Sequence, residues 1–193
     1  MISSYSEYKS YLEQDRIALG VRNDHFSSKI KDFLFPNYIW RFEQTLRKLE
    51  YYYNCKNSFW SKPTYYYLKY KFRKISIKLG FSIPINVFGP GLAIVHYGTI
   101  VVNTNARIGK NCRIHACTNI GASGGTSHAP QIGDNVYIAP GAKIYGKINV
   151  ANNCAIGANA VVNKSFEETG ILIAGNPAKK IKEIDIKKII KHI

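Results

Sequence analysis

Acidic side chains are scarce in this sequence, which has 12 Asp and Glu against 27 Lys and Arg in 193 residues and a formal net charge of +15. Residues 51 to 133 contain no Asp or Glu at all. So large an excess of positive charge attracts anions: nucleic acid, membrane surfaces, phosphorylated cofactors or acidic sugars. The alternative explanation is a solvated surface that only keeps the protein soluble.

Cysteine and long apolar runs are scarce too. The four cysteines, at positions 55, 112, 117 and 154, show neither CxxC pairs nor the Cys/His spacing of a zinc site, so no structural metal is expected. Residues 79 to 106 lack charge, but two prolines and four glycines exclude a transmembrane helix there. The first residues, MISSYSEYKS, have no basic start or apolar core of a secretory signal, which predicts a cytoplasmic protein with reduced thiols.

The first 80 residues have the pattern of helices. In NYIWRFEQTLRKLEYYYN, apolar and aromatic residues recur at spacings of three and four, as on one face of a helix. This predicts an N-terminal α-helical domain over residues 1–80.

From residue 100 the spacing of apolar residues changes to six. Small or β-branched residues follow four positions after most of these aliphatic residues, as in Ala106, Cys112 and Ala160. This is the hexapeptide repeat of a left-handed parallel β-helix, in which three six-residue sides form one triangular coil. The sequence therefore predicts such a β-helix over residues 81–178. The aliphatic positions are Val102, Ile108, Ile114, Ile120, Ile132, Ile138, Ile144, Val150, Ile156 and Val162.

One position of the repeat lacks an aliphatic residue, and the sequence after the last repeat has a different pattern. Thr126 stands at an aliphatic position inside GASGGTSHAPQ, and the count resumes in phase at Ile132, which predicts a loop at residues 121–131 that leaves the wall of the coil. The chain ends in IDIKKIIKHI, which predicts a short amphipathic helix that caps the last coil, within a basic C-terminal helix or tail at residues 179–193.

Helices followed by this β-helix resemble the serine acetyltransferase branch of the hexapeptide-repeat acyltransferases. The matching stretches are GPGLAIVHYGTIVVN, IGASGGTSHAPQIG, YIAPGAKIYG, AIGANAVV and IAGNPAKKI, within residues 80–181. The resemblance implies an O-acetyltransferase that uses acetyl-CoA as co-substrate and requires no metal. It also implies a homotrimer, or a hexamer formed through the N-terminal helices, with active sites between neighbouring β-helices.

His96 is the candidate catalytic base. A neutral imidazole is suited to accept the proton of an attacking hydroxyl near pH 7 and to return it to the leaving CoA sulfur. Counting back six from Val102 places His96 at an inward position, where an imidazole does not fit. The six-residue count is therefore expected to slip at residues 96–98, or the first coil to be open there. The alternative for His96 is a buried structural histidine.

Two positions depart from the resembled enzymes, where an Asp usually precedes the histidine and Arg-His-Pro ends the loop. Here Val95 precedes His96, so the group that orients the imidazole is expected to be a backbone carbonyl, Asn86, or an acid of the helical half, Asp15 or Glu13. The loop ends in His128-Ala129-Pro130. Because serine needs both an acid and a cation for recognition, these departures favour a sugar of a surface polysaccharide as acceptor. The alternative is the serine O-acetyltransferase of cysteine biosynthesis.

The remaining site predictions concern the acceptor and CoA. His115 and His128 are candidates for lining the acceptor pocket. The resemblance implies CoA contacts by the main chain at Gly124, Gly125, Ala139 and Gly157, and by Lys164 and Lys179 near the phosphates. Less favoured are a metal-dependent hydratase that would use His96, His115 and His128, and a non-catalytic scaffold. No nucleic-acid motif is present, and at most peripheral membrane association is expected.

Overall fold

The computed structural model describes residues 1–22 and 34–193. The described residues of the first half include the α-helices α1 (Tyr5–Leu19), α2 (Tyr38–Cys55) and α3 (Lys62–Leu79). A 3-10 turn, Phe59–Ser61, connects α2 to α3. In the described ranges no helix is both long and apolar enough to cross a membrane.

Helices α2 and α3 pack side by side and deliver the chain to the β-helix. The ring of Phe42 on α2 stacks on Phe72 of α3 at 5.3 Å and meets Phe81 edge to face at 5.0 Å. Helix α3 ends at Leu79 and is capped by Gly80, which has a left-handed conformation, and β1 begins at Phe81. The helical half and the first coil therefore share one apolar core.

The second half is the predicted left-handed parallel β-helix. Its short strands form three sheets, defined here as sheet 1 (β1, β3, β6, β9 and β12), sheet 2 (β4, β7 and β10) and sheet 3 (β2, β5, β8, β11, β13 and β14). The pairing is parallel except between β13 and β14. The strands are β1 (Phe81–Ser82), β2 (Ala93–Ile94), β3 (Ile100–Val102), β4 (Arg107–Ile108), β5 (Arg113–Ile114), β6 (Thr118–Gly121), β7 (Gln131–Ile132), β8 (Tyr137–Ile138), β9 (Lys143–Tyr145), β10 (Asn149–Val150), β11 (Ala155–Ile156), β12 (Val161–Val162), β13 (Ile171–Gly175) and β14 (Ala178–Glu183).

The inward positions are those that the six-residue repeat predicts. All ten aliphatic residues of the repeat are buried, with 4% exposure or less. The small residues Ala106, Cys112 and Ala160 are buried as well, where a larger side chain would collide with the turn of the coil. Burying each aliphatic side chain favours the folded state by about 1.5–3 kcal/mol, so this column is the main support of the β-helix.

The loop at residues 121–131 leaves the wall without disturbing the register. Ile132 pairs with Val150, 18 residues later, which is one coil. Ile108 pairs with Ile132, 24 residues later, so the coil that contains the loop has six extra residues. Thr126 is exposed.

The C-terminal tail differs from its prediction. Instead of an amphipathic α-helix, the chain forms β14, antiparallel to β13, and then one 3-10 turn, Ile186–Lys188. Ile186 and Ile190 are buried against Ala155 and packed with Tyr137 and Leu172 on the outer side of sheet 3, so the tail does not cap the end of the coil. The apolar spacing of the tail fits a strand edge and a single turn as well as a helix, and packing on the sheet decides between them.

Candidate active site

One corner of the triangular coil collects most of the predicted site residues. It lies where sheet 3 ends and the chain turns towards sheet 1. In successive coils the residues there are Val95, His115, Ala139 and Gly157, each directly after an inward Ile and each donating its N–H to the next coil at 2.8–3.1 Å. With His96, which follows Val95, these residues form what we call the histidine edge.

His96 lies in solvent because the six-residue count slips beside it. Ile94 and Val102 are both buried, and they are eight residues apart rather than six. The two additional residues place His96 and Tyr97 outside the coil, both exposed. Gly98 makes this possible: its φ of 131° is rarely adopted by other residues, and its N–H donates to Leu79 O at 2.9 Å. The slip expected at residues 96–98 is therefore present.

His115 stands next to His96 on the following coil. The two ring centroids are 5.8 Å apart at an interplanar angle of 56°, and the Tyr137 ring meets His115 edge to face at 5.1 Å. The structure therefore brings together two of the predicted histidines and adds Tyr137, which the sequence did not single out.

The environment of His115 favours the neutral form of its imidazole. Burial lowers its pKa first of all, and the charges of Arg113 and His96 lower it further. Its Nε2 atom is buried and has no hydrogen-bond partner among the described residues. A neutral, partly buried imidazole with an unpaired nitrogen suits a hydrogen bond to a bound hydroxyl.

The structure gives Asp15 and Asn86 hydrogen-bond partners other than His96, the imidazole that they were predicted to orient. Asp15 is fully buried, and its carboxylate accepts from Leu92 N at 2.8 Å and from Arg47 Nε at 2.7 Å. The Asn86 side chain exchanges two hydrogen bonds with Asn54, at 2.9 and 3.0 Å. Both groups satisfy the first coil rather than His96, since that coil has no coil beneath it to pair with.

Helix α2 supplies three further buried ionisable side chains that the sequence analysis missed. Arg47 donates to the carbonyls of Phe88 and Gly89 at 3.0 and 2.6 Å and to Glu50 at 3.0 Å. Glu43 accepts from Ile94 N at 3.2 Å. The signal was their i, i+4, i+7 spacing on α2, beside the buried Phe42, Leu46 and Leu49.

Two buried acids, Asp15 and Glu43, complete the hydrogen bonding of strand β2. The N–H groups of Ala93 and Val95 point to the next coil and bond Cys112 O and Ile114 O. The alternate N–H groups, of Leu92 and Ile94, point the other way and bond Asp15 and Glu43. Side-chain carboxyl groups thus replace the missing coil under the segment that leads to His96.

The loop lies at a different corner of the coil, between sheets 1 and 2. Gly124, Gly125 and His128 are exposed there. Ser127 O accepts a hydrogen bond from Asn105 Nδ2 at 2.8 Å, and His128 lines a depression of about 370 Å³ with Lys147 and Gln131. Within one chain, His128 is therefore not brought to the histidine edge.

Comparison with known proteins agrees with this architecture. Residues 129–164 match the family of the bacterial transferase hexapeptide (six repeats). The serine acetyltransferase of Staphylococcus aureus is 36% identical over 102 residues, which are 51% of this chain and 47% of that protein. The crystal structure of serine acetyltransferase from Brucella abortus strain S19 superposes with a TM-score of 0.71 at 28% identity, over 94% of this chain and 71% of that one. This chain is similar to the hexapeptide-repeat transferases, and among them to the serine acetyltransferases.

The likeness extends to a structure with a ligand. A crystal structure of the same Brucella enzyme in complex with coenzyme A covers 93% of this serine acetyltransferase-like chain and 70% of that one, with a TM-score of 0.68 at 27% identity. The chain spans about half the length of the curated relatives it matches. Its activity, substrates and partners are therefore treated below as proposals.

The residues predicted to bind CoA are spread over four places in this serine acetyltransferase-like fold, one of which is the loop that holds Gly124 and Gly125. Ala139 and Gly157 lie on the histidine edge, but their N–H groups already donate to Ile156 O and Ile173 O, so a ligand would meet other atoms of theirs. Lys164 is exposed after β12, with its Nζ 5.6 Å from the centre of the Phe166 ring. Lys179 is exposed on β14. Over residues 1–22 and 34–193, no three His, Cys, Asp or Glu side chains are grouped closely enough to hold a metal ion.

Glu43 predicts an unusual dependence of stability on pH. Burial, and then the charge of Asp15, raise the pKa of Glu43 well above its ordinary value of 4.5. The folded state thus holds a proton that the unfolded chain has lost, so the free energy of unfolding falls as the pH rises above about 4.5. We expect Glu43→Gln, which keeps an acceptor for Ile94 N, to remove this slope and to be more stable than the parent at pH 8.

Urea unfolding between pH 5 and pH 8 measures the slope. Glu13→Gln is the matched control, because Glu13 is an exposed acid on α1 whose pKa is lowered by its hydrogen bond from Arg16. It should leave the slope unchanged or alter it only at lower pH. Equal slopes for the parent and Glu43→Gln would contradict the buried protonated carboxyl.

Proposed function

We propose that this chain transfers an acetyl group from acetyl-CoA to a hydroxyl, with His96 as general base. The observation that carries the proposal is the position of His96: exposed by the slip at Gly98, on the edge shared with His115, Ala139 and Gly157. The resemblance to serine acetyltransferases, one of them solved with coenzyme A, supports the donor.

The chemistry needs one proton to move twice. The His96 imidazole takes the proton of the acceptor hydroxyl as its oxygen attacks the thioester carbonyl. The tetrahedral intermediate then collapses, the carbon–sulfur bond breaks, and the imidazolium returns the proton to the thiolate of CoA. The N–H groups of Val95 and His115 already donate to backbone carbonyls of the next coil. Other groups must therefore donate hydrogen bonds to the oxyanion.

The assembly we propose is a homotrimer. His96 and His115 lie at the corner between sheets 3 and 1, whereas Gly124, Gly125 and His128 lie at the corner between sheets 1 and 2. Three triangular coils packed around an axis would place the histidine edge of one subunit against the loop of its neighbour. In that arrangement His128 and the Gly-rich loop reach the acceptor and CoA from across the interface.

The comparisons favour L-serine as the acceptor over the sugar that the sequence analysis placed first. The relatives compared above are serine acetyltransferases. The sugar remains the second candidate because of one observation: Asp15 and Glu43 are buried beneath the first coil, where they bond the backbone, and Val95 occupies the position before His96. Among the described residues of the histidine edge, therefore, no acid is available for the ammonium group of serine.

Release of the CoA thiol from acetyl-CoA separates these candidates. The protein is assayed with L-serine, with D-serine as a matched control, and with a panel of neutral and acidic sugars. Stereospecific turnover at millimolar L-serine is the expected result and would exclude the sugar. Turnover with a sugar and none with serine would select the second candidate, and no turnover with any hydroxyl would contradict the proposed activity.

A further inference from the structure

Two large aromatic side chains lie in solvent at the turn between α2 and α3. Phe59 is 74% exposed and Trp60 is 86% exposed, both in the 3-10 turn Phe59–Ser61. Their ring centroids are 6.0 Å apart, edge to face. Adjacent exposed aromatic residues of this size are rare on a surface that faces only water, and they mark an interaction site.

Lysines flank this turn on both sides. Lys62 places its Nζ 5.7 Å from the centre of the Phe59 ring, and Lys56 places its Nζ 5.4 Å from that of Tyr51. Both lysines line a groove of about 250 Å³ between the end of α2 and the start of α3. The other residues of the groove are Tyr52, Tyr53, Asn57, Tyr65 and Tyr66.

The same composition continues along α3. Five lysines and one arginine lie on this helix, all exposed, with no acidic residue among its 18 residues. Three tyrosines of the same helix, Tyr66, Tyr67 and Tyr70, are each 57–63% exposed. The helix therefore presents positive charge and aromatic rings together, uncompensated by any carboxylate from residue 51 to residue 133.

We propose that this surface docks on a membrane that contains anionic phospholipids. We call it the aromatic tip and define it as Lys56, Phe59, Trp60, Lys62 and the exposed face of α3. Tryptophan and phenylalanine insert at the level of the headgroups, and lysines around them pair with lipid phosphates. Because no described helix is long and apolar enough to span the bilayer, the contact is peripheral.

The charge and the exposed aromatic rings of the aromatic tip favour an anionic membrane over other partners. A second copy of the chain would bring the same positive surface against itself in a two-fold contact, and like charges oppose that. A soluble acidic polymer would use the lysines but leave the Phe59–Trp60 pair in water. Single-stranded nucleic acid can stack on aromatic rings, so it is a named competitor in the test.

The test is sedimentation of the whole protein with vesicles of phosphatidylcholine alone or with added phosphatidylserine. Trp60→Ala should weaken vesicle binding on the order of tenfold, because the apolar surface of the indole is no longer buried in the membrane. Its control is Phe35→Ala, which removes an aromatic residue of similar exposure, 76%, outside the tip. Lys56→Gln with Lys62→Gln should weaken binding roughly fivefold per lysine. Lys187→Gln with Lys188→Gln removes two exposed charges from the tail and is the matched control.

Three results would overturn the proposal. They are equal binding to both kinds of vesicle, tighter binding to single-stranded DNA that Trp60→Ala abolishes, and a rise in oligomer mass that depends on Trp60. Acetyl transfer in solution is measured in parallel and should not change in the tip variants. Loss of vesicle binding and loss of the proposed enzyme activity are thus distinguished.

Discussion

Replacing His96 by Gln is expected to lower kcat for acetyl transfer by 10²- to 10⁴-fold, roughly the contribution of a positioned general base. Glutamine has similar size and polarity but cannot accept the proton. Because His96 is exposed and lies outside the coil, the variant should unfold at the same urea concentration as the parent. The KM for acetyl-CoA should change less than about threefold, since the loss is confined to the transition state.

The control for this variant is His192→Gln. His192 is a half-buried histidine of the C-terminal tail, which packs on the outer side of sheet 3. It should retain turnover within about twofold, because no step assigned to the histidine edge uses it. If His96→Gln kept a tenth or more of the parent kcat, His96 would not be the base, and His115 would be the next residue to test.

His115 should behave differently from His96. It is partly buried, its pKa is lowered, and its Nε2 has no hydrogen-bond partner in the described part of the chain. As a group that binds the acceptor, it should affect mainly the KM for the acceptor when changed to Gln. A fall in kcat as large as that of His96→Gln, with the acceptor KM unchanged, would instead assign proton transfer to His115.

The β-helix was predictable because its repeat is local. Above the first coil, each side outside the loop has the same six-residue length, so one count places Ile114, Ile138 and Ile156 inside and Cys112 at a corner. The loop was predictable for the same reason, since a whole number of sides was inserted. Comparable regularity was present in residues 184–193, but the packing of Ile186 and Ile190 against Ala155 on sheet 3 outweighed the helical pattern.

The first coil was not predictable in the same way, because it has no neighbour below it. Its free N–H groups must find acceptors from distant parts of the chain, and Asp15 is 77 residues from its partner Leu92. No spacing rule in the sequence connects those positions. Position 96 counted as inward, and only the slip at Gly98, whose N–H bonds Leu79 O, moves His96 into solvent.

Replacing Arg47 by Met should lower the free energy of unfolding by about 3–5 kcal/mol, the usual cost of breaking a buried ion pair. Arg47 is completely buried. Burial disfavours its charged form, but the carboxylates of Asp15 and Glu50 outweigh burial and raise its pKa above the ordinary value. Without the guanidinium, those two carboxylates and the carbonyls of Phe88 and Gly89 lose their partner. The measurement is urea unfolding at fixed protein concentration, since assembly adds to apparent stability.

Lys48→Met is the matched control, because Lys48 is the next residue on α2 and is exposed, so its loss should change the free energy of unfolding by less than about 0.5 kcal/mol. The double variant Asp15→Asn with Arg47→Met should cost less than the sum of the single changes, since each single change leaves a buried partner unpaired. Strict additivity would contradict a coupled network.

Because the network holds Gly89 and Leu92, which lead to His96, the Arg47 variant should also lose kcat at urea concentrations where it remains folded. Unchanged kcat there would show that the β-helix alone positions His96.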